Sequence, residues 1–257
     1  MYKAAKSLTD PLIFVLKGTG KAIRSDFFQG ISAASQQDWM TFLKQDYSDV
    51  RDMDFSQFIQ HQFDPKYKEA VLVIPGGNSV LMADACGSAP LSLVAKAIRT
   101  ALHSPSHHYR IIGSCAGAAL SSRTIESPRS TAWIPGLGLL PTITAIGPLL
   151  KTPALHTLRL ANGVQTSSQF GWENIGFADS GEGDIGFIAQ YADYGHAAAL
   201  QTKQVLAFGF HPEATIPDSK LLAVAQSQFP STVFWQGGER AASEKAAREM
   251  VKAFINN

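Results

Sequence analysis

Cys115 stands in the string Gly113-Ser114-Cys115-Ala116-Gly117, a G-x-C-x-G pattern directly after one apolar run and directly before a helical one. That setting is required of a nucleophile elbow, where a sharp strand-to-helix turn presents one side chain at the edge of a sheet. Flanking glycines let strand and helix approach without a Cβ clash, and the turn residue carries backbone strain. A thiol at a helix N-terminus also feels the positive end of the helix dipole, which favours thiolate over the free thiol with its pKa of about 8.5. The chemistry this predicts is nucleophilic attack by sulfur.

A nucleophile needs a base, and Phe210-His211-Pro212-Glu213 supplies one at the end of the apolar run VLAFGF. A histidine just past a strand end can take the thiol proton, and a carboxylate two residues on can hold the other ring nitrogen. Pro212 stiffens the link between them. Pro75-Gly76-Gly77-Asn78 ends a third apolar run. Its backbone N–H groups, with that of Ala116, could bind the oxyanion of a tetrahedral intermediate. The candidate set is therefore Cys115, His211 and Glu213 for catalysis, and Gly76, Gly77, Asn78 and Ala116 for oxyanion and substrate binding.

These loops meet only if the runs before them are neighbouring parallel strands. Glu69 to Ile74 (EAVLVI) is continuously apolar and rich in β-branched residues, as suits a strand buried on both faces. Leu12 to Leu16, Tyr109 to Gly113 and Val205 to Phe210 read in the same way, and Tyr47 to Phe55 holds a short second strand. Helical spacing runs through Phe27, Phe28, Trp39, Phe42 and Leu43, and again over Leu91 to Leu102, Ala116 to Ile125, Asp218 to Phe229 and Ala241 to Phe254. Phe58 to Phe63 suggests a helical turn. Leu155 to Leu160, Gly186 to Tyr191 and His196 to Gln201 are short strands between Gly or charged turns, an antiparallel or mixed extension of the parallel sheet. With no repeat, linker or charge block, residues 1–257 read as a single α/β domain, a flavodoxin-like three-layer sandwich.

The chain has 257 residues, 45% of them hydrophobic and 17% charged, with a formal net charge of +1. That core is ample, and no basic field exists for nucleic-acid binding by counterion release. The uncharged stretch from Ser130 to Leu150 has the length of a bilayer span, but Pro135, Pro141 and Pro148 make it a poor helix, so it reads as an apolar loop on the core. The two cysteines, Cys86 and Cys115, sit in no disulfide framework, and MYKAAKSLTDPLIF has too short an apolar stretch for a signal peptide. A reducing, cytoplasmic setting is expected, with export by a route that uses no cleavable N-terminal signal left open. Cys86 reads as a small loop residue and His107-His108 as a solvated turn without a companion ligand at metal spacing. Gly18-Thr19-Gly20 does not complete a dinucleotide loop. Trp172-Glu173-Asn174 and Asp179 to Gly183 are polar turn material. No cofactor or metal is expected.

Taken in order, P-G-G, G-x-C-x-G and H-P-E make the chain resemble class I glutamine amidotransferases, most of all the amidotransferase-like domain at the N-terminus of biotin protein ligases and its free-standing bacterial relatives. The likeness also takes in Gly136-Leu-Gly138, Asn162-Gly163 and Ala189 to Asp193. It implies Cys115 as nucleophile, His211 as base, Glu213 as orienter, and Gly76, Gly77 and Ala116 as oxyanion donors. Glutamine-using members continue C-x-G-x-Q, whereas Cys115 is followed by Ala116, Gly117, Ala118 and Ala119, so free glutamine is not the expected substrate. Residues 1–257 read as leaving no room for a ligase or synthase domain, so an amidotransferase role would require a separate synthase or ligase as protein partner, and a small molecule with an amide or acyl group is the expected substrate. Two other readings stand beside this one. The chain could be a catalytically silent regulatory or ligand-binding module that keeps the elbow, or a Cys-His-Asp α/β-hydrolase of the dienelactone type with a different acid on its histidine.

Overall fold

The computed structural model describes residues 11–17, 26–54, 57–58, 60, 69–77, 96–126, 133–147, 152–161, 166–172, 175–179, 181 and 185–257. Gly18-Thr19-Gly20, Cys86 and Asn162-Gly163 lie outside them.

The element order is β1 (Leu12–Lys17), α1 (Asp26–Lys44), β2 (Val50–Asp54), β3 (Ala70–Ile74), a helix whose described part is 96–102 (α2), β4 (Arg110–Ser114) and α3 (Ala116–Ser121). Seven strands follow: β5 (Ser122–Glu126), β6 (Trp133–Pro135), β7 (Leu140–Ile146), β8 (Ala154–Leu160), β9 (Thr166–Gly171), β10 (Gly176–Asp179) and β11 (Gly186–Tyr191). The chain ends through β12 (Ala197–Gln201), β13 (Val205–Phe208), a 3₁₀ turn (Pro212–Thr215), α4 (Lys220–Gln228) and α5 (Glu239–Asn256).

All thirteen strands join one sheet, ordered β2-β1-β3-β4-β13-β12-β10-β7-β5-β6, with β11, β8 and β9 branching from β12. β2, β1, β3, β4 and β13 are mutually parallel. Alternation along these strands divides the core in two. Phe14, Leu16, Leu72, Ile74, Ile111 and Ala207 face a cluster that includes Ile98 and Ala101 of α2 and Ala118 and Ala119 of α3. Ile13, Val15, Val71, Val73, Ile112, Leu206 and Phe208 face the opposite cluster, with Trp39, Phe42 and Leu43 of α1 and Val251 and Phe254 of α5. Helix layers on both faces of a parallel sheet make the three-layer sandwich, and they explain why these strands are apolar at every position.

The helix read over Ala116 to Ile125 stops at Ser121 and becomes β5, which pairs with β6 and β7. The apolar stretch read as a loop supplies β6 and the whole of β7, while residues 130–132 and 148–150 fall outside the description. Its prolines are compatible with strands. Pro135 ends an edge strand, where a missing N–H costs no ladder bond. Pro141 falls within an irregularity, where Leu140 pairs Ser122 and Thr144 pairs Thr124. Among the described residues no helix is long and apolar enough to cross a membrane. His107, read as solvated, is buried, stacked on Tyr109 and within 2.9 Å of the Ser106 hydroxyl through Nδ1.

Candidate active site

The parallel strands β3, β4 and β13 deliver three loops to one edge of the sheet, and the candidate residues follow them directly. Cys115 is the one non-glycine residue with positive φ among those described (φ 46°, ψ −112°). Its N–H donates to Phe208 O at 2.8 Å, extending the β4–β13 ladder, while its carbonyl accepts from Ala119 N at 2.9 Å, opening α3. A residue tied to a strand on one side and a helix on the other is held in its strained conformation by both, at a cost of about 1–3 kcal/mol. The elbow also requires Gly117: a Cβ there would lie 2.0 Å from Ile74 O.

His211 follows β13 and begins the Pro212–Thr215 turn, and its N–H donates to Phe170 O of β9 at 2.8 Å. Its Nδ1 lies 2.8 Å from Glu213 Oε1, and both residues are fully buried. This carboxylate–imidazole contact removes the dienelactone-type reading, which needed another acid at His211. Glu213 Oε1 also accepts from Ser35 Oγ at 2.6 Å and Ser114 Oγ at 3.4 Å, and Ser114 Oγ in turn accepts from Trp39 Nε1 at 2.9 Å. The Cys115 sulfur acts on the same imidazole through its charge, and the buried Nε2 has no hydrogen-bond partner among the described residues.

Burial alone would lower the His211 pKa. The charges of Glu213 and Cys115, with the hydrogen bond to Glu213, overcome it and raise the value from 6.5 to about 10. Since the folded pKa lies above the ordinary one, His211 contributes stability that is fully present below about pH 6.5 and is lost as the pH rises through about 10. The urea midpoint is therefore expected to fall from neutral pH toward about 10, and His211→Gln to flatten that slope. A wild-type midpoint that does not move over this range contradicts the cationic imidazole.

The glycine turn after β3 departs from expectation. Gly76 N–H donates to Ser35 Oγ at 3.0 Å, so it is not a free oxyanion donor. A Cβ on Gly76 would lie 2.2 Å from His211 Cε1 and 2.9 Å from Nδ1, which shows that this backbone lies against the imidazole. Gly77 and Ala116 keep their places at the strand end and the helix start, while Asn78 lies outside the described residues. Tyr191 is buried, donates to Ile175 O at 3.3 Å, and has its pKa raised well above the ordinary 10.0 by burial, then by the charges of Cys115 and Tyr194. Trp172, read as polar turn material, packs in a buried cluster with Phe170. A cavity of about 550 Å³ lined by Arg159, Phe177, Phe187 and His196, among others, opens on the β8–β12 region and does not reach Cys115. Among the described residues no cluster of His, Cys, Asp and Glu could hold a metal.

Sequence reasoning missed the contribution of α1. Ser35 and Asp38 occupy the stripe that buries Ile31, Ala34, Trp39 and Phe42, and both polar side chains are buried. Asp38 accepts from Ser219 Oγ at 2.6 Å, Lys220 N at 2.8 Å and Leu221 N at 3.0 Å, and so fastens the start of α4 to α1. Burial, and to a lesser extent the charge of Glu213, raises its pKa despite those donors. The signal was present: two polar residues interrupt an otherwise apolar helix face, and buried polar groups require partners.

The mainly parallel sheet with helices on both faces is a fold shared with glutamine amidotransferase-like structures. A GMP synthase component from Thermoplasma acidophilum is similar with a TM-score of 0.51 at 14% identity, over 95% of this chain and 98% of that one. A glutamine amidotransferase from Methylobacillus flagellatus is similar with a TM-score of 0.51 at 10% identity, over 96% of this chain and 93% of that one. At such identities the likeness is one of fold. No protein-family model and no curated protein matches the sequence.

Proposed function

We propose that the chain is a glutamine amidotransferase-like cysteine hydrolase or transferase acting on an amide-type carbonyl. The observation that carries this reading is the fully buried His211–Glu213 contact of 2.8 Å, with the Cys115 sulfur acting on the same imidazole from a strained elbow. The Cys115 thiolate adds to the carbonyl carbon, and the resulting oxyanion is received by the N–H groups of Gly77 and Ala116. The carbon–nitrogen bond then breaks as His211 passes its proton to the leaving amine, leaving an acyl-thioester on Cys115. Neutral His211 next takes a proton from water or an acceptor nucleophile, which attacks the thioester and frees the thiolate. Glu213 holds the ring in one tautomer and stabilises the imidazolium.

Free glutamine is not the proposed substrate. Ala119, where glutamine-using relatives carry a glutamine, is fully buried in an apolar cluster and offers no polar group to a substrate. Kinship with the N-terminal domain of biotin protein ligases, a cytoplasmic setting, and a separate synthase or ligase as partner belong to the same proposal. The silent-module reading takes its support from the 2% exposure of Cys115. Incubation with a panel of small amides and acyl compounds, followed by intact-mass analysis, separates the two. An acyl mass increment on Cys115 supports catalysis, and a panel without any increment, with Cys115 no more reactive than Cys86, ends that reading.

A further inference from the structure

A serine within a helix commonly returns its hydroxyl to the carbonyl four residues back. Ser35, in the middle of α1 and fully buried, instead points into the site. A hydroxyl has one proton to give and lone pairs to accept with. Ser35 gives the proton to Glu213 Oε1 at 2.6 Å and accepts from Gly76 N–H at 3.0 Å. One atom thus joins the end of β3 to the turn after β13, two segments separated by more than a hundred residues of chain. The charged and titratable groups around it are Glu213, His211 and Cys115 in the site, with Asp38 one turn further along α1 and acting on Glu213 by its charge.

We propose that Ser35 is a positioning residue that binds Glu213 and the Gly76 turn into one hydrogen-bonded unit. The acid that orients His211 and the turn that offers Gly77 N–H to an oxyanion are then fixed relative to each other. The proposal rests on the Cys-His-Glu reading above. It also accounts for the choice of oxyanion donor: Ser35 engages Gly76 N–H and leaves that role to the next residue. Without the hydroxyl, Gly76 N–H is left buried and unpaired, and the carboxylate loses its shortest hydrogen bond. Imidazolium is then less stabilised, and the thiol yields its proton at higher pH.

The test is the rate of Cys115 alkylation by iodoacetamide in the full chain from about pH 5 to about pH 10, with peptide mass spectrometry separating Cys115 from Cys86. Ser35→Ala is expected to slow the reaction near neutrality by about tenfold to a hundredfold, as loss of a hydrogen bond to a charged group would, and to move the acid limb upward. Ser35→Thr and Ser35→Val carry the same added bulk and differ in the hydroxyl, so they remain informative if the alanine variant folds poorly. Threonine is expected to keep the wild-type limb and valine to shift it. Threonine and valine profiles that coincide, or an alanine profile that overlays the wild type, overturn the role of Ser35 while leaving Cys115 activated. Wild-type Cys115 reacting no faster than Cys86 overturns the Cys-His-Glu reading and this proposal with it.

Discussion

Cys115→Ser is expected to abolish turnover of any substrate identified by acylation, with a loss of about 10⁴-fold or more, the scale seen when a nucleophile acting in a unit is removed. Serine is nearly isosteric, so the loss is one of chemistry rather than packing. The thiol reacts as thiolate, whereas a hydroxyl at neutral pH needs a base to take its proton as it attacks. The measurement is single-turnover acyl transfer by wild type and variant at matched folding, read by circular dichroism. Acyl transfer that survives the substitution would mean that Cys115 is not the nucleophile, and ligand binding by both proteins with acyl transfer by neither would favour the silent module.

Gly76→Ala is the second large effect. The added methyl would sit 2.2 Å from His211 Cε1, so either the imidazole or the turn must move. The ring is held by Glu213 Oε1 at 2.8 Å and the turn by Ser35 at 3.0 Å, and neither yields without breaking a buried hydrogen bond. Overpacking of this kind costs about 1–3 kcal/mol of stability. A displacement near 1 Å at reacting groups costs about a hundredfold in rate. Urea unfolding and the neutral-pH alkylation rate of Cys115 should therefore both fall. An alanine variant with unchanged rate would mean that the imidazole is not pressed against this turn.

The parts of the fold that could be read in advance are those where a single physical cause dominates. β3, β4 and β13 are apolar at nearly every position because both faces are covered, and the three motifs lie where those runs stop. β9 could not be read, because Thr166-Ser-Ser-Gln-Phe-Gly171 has little apolar content and is a strand through pairing with β8. β5 was taken for helix because nothing within Ser122–Glu126 opposes continuation of α3, and the change is imposed by β6 and β7 further along the chain. Cys115, His211 and Glu213 were singled out by motif, and the structure brings His211 and Glu213 into contact. Gly76 was recognised as a site residue but given a donor role that Ser35 takes away. Ser35, Asp38 and Trp39 carry no motif, since their roles come from the docking of α1 against loops far away in sequence.

That docking has a practical corollary for anyone shortening the chain. A fragment beginning at β3 would retain every recognisable signature and still pass a pattern search. It would lack the hydroxyl on Glu213, the indole on Ser114 and the carboxylate that anchors α4. The smallest fragment that keeps these three contacts therefore reaches back at least to the first helix.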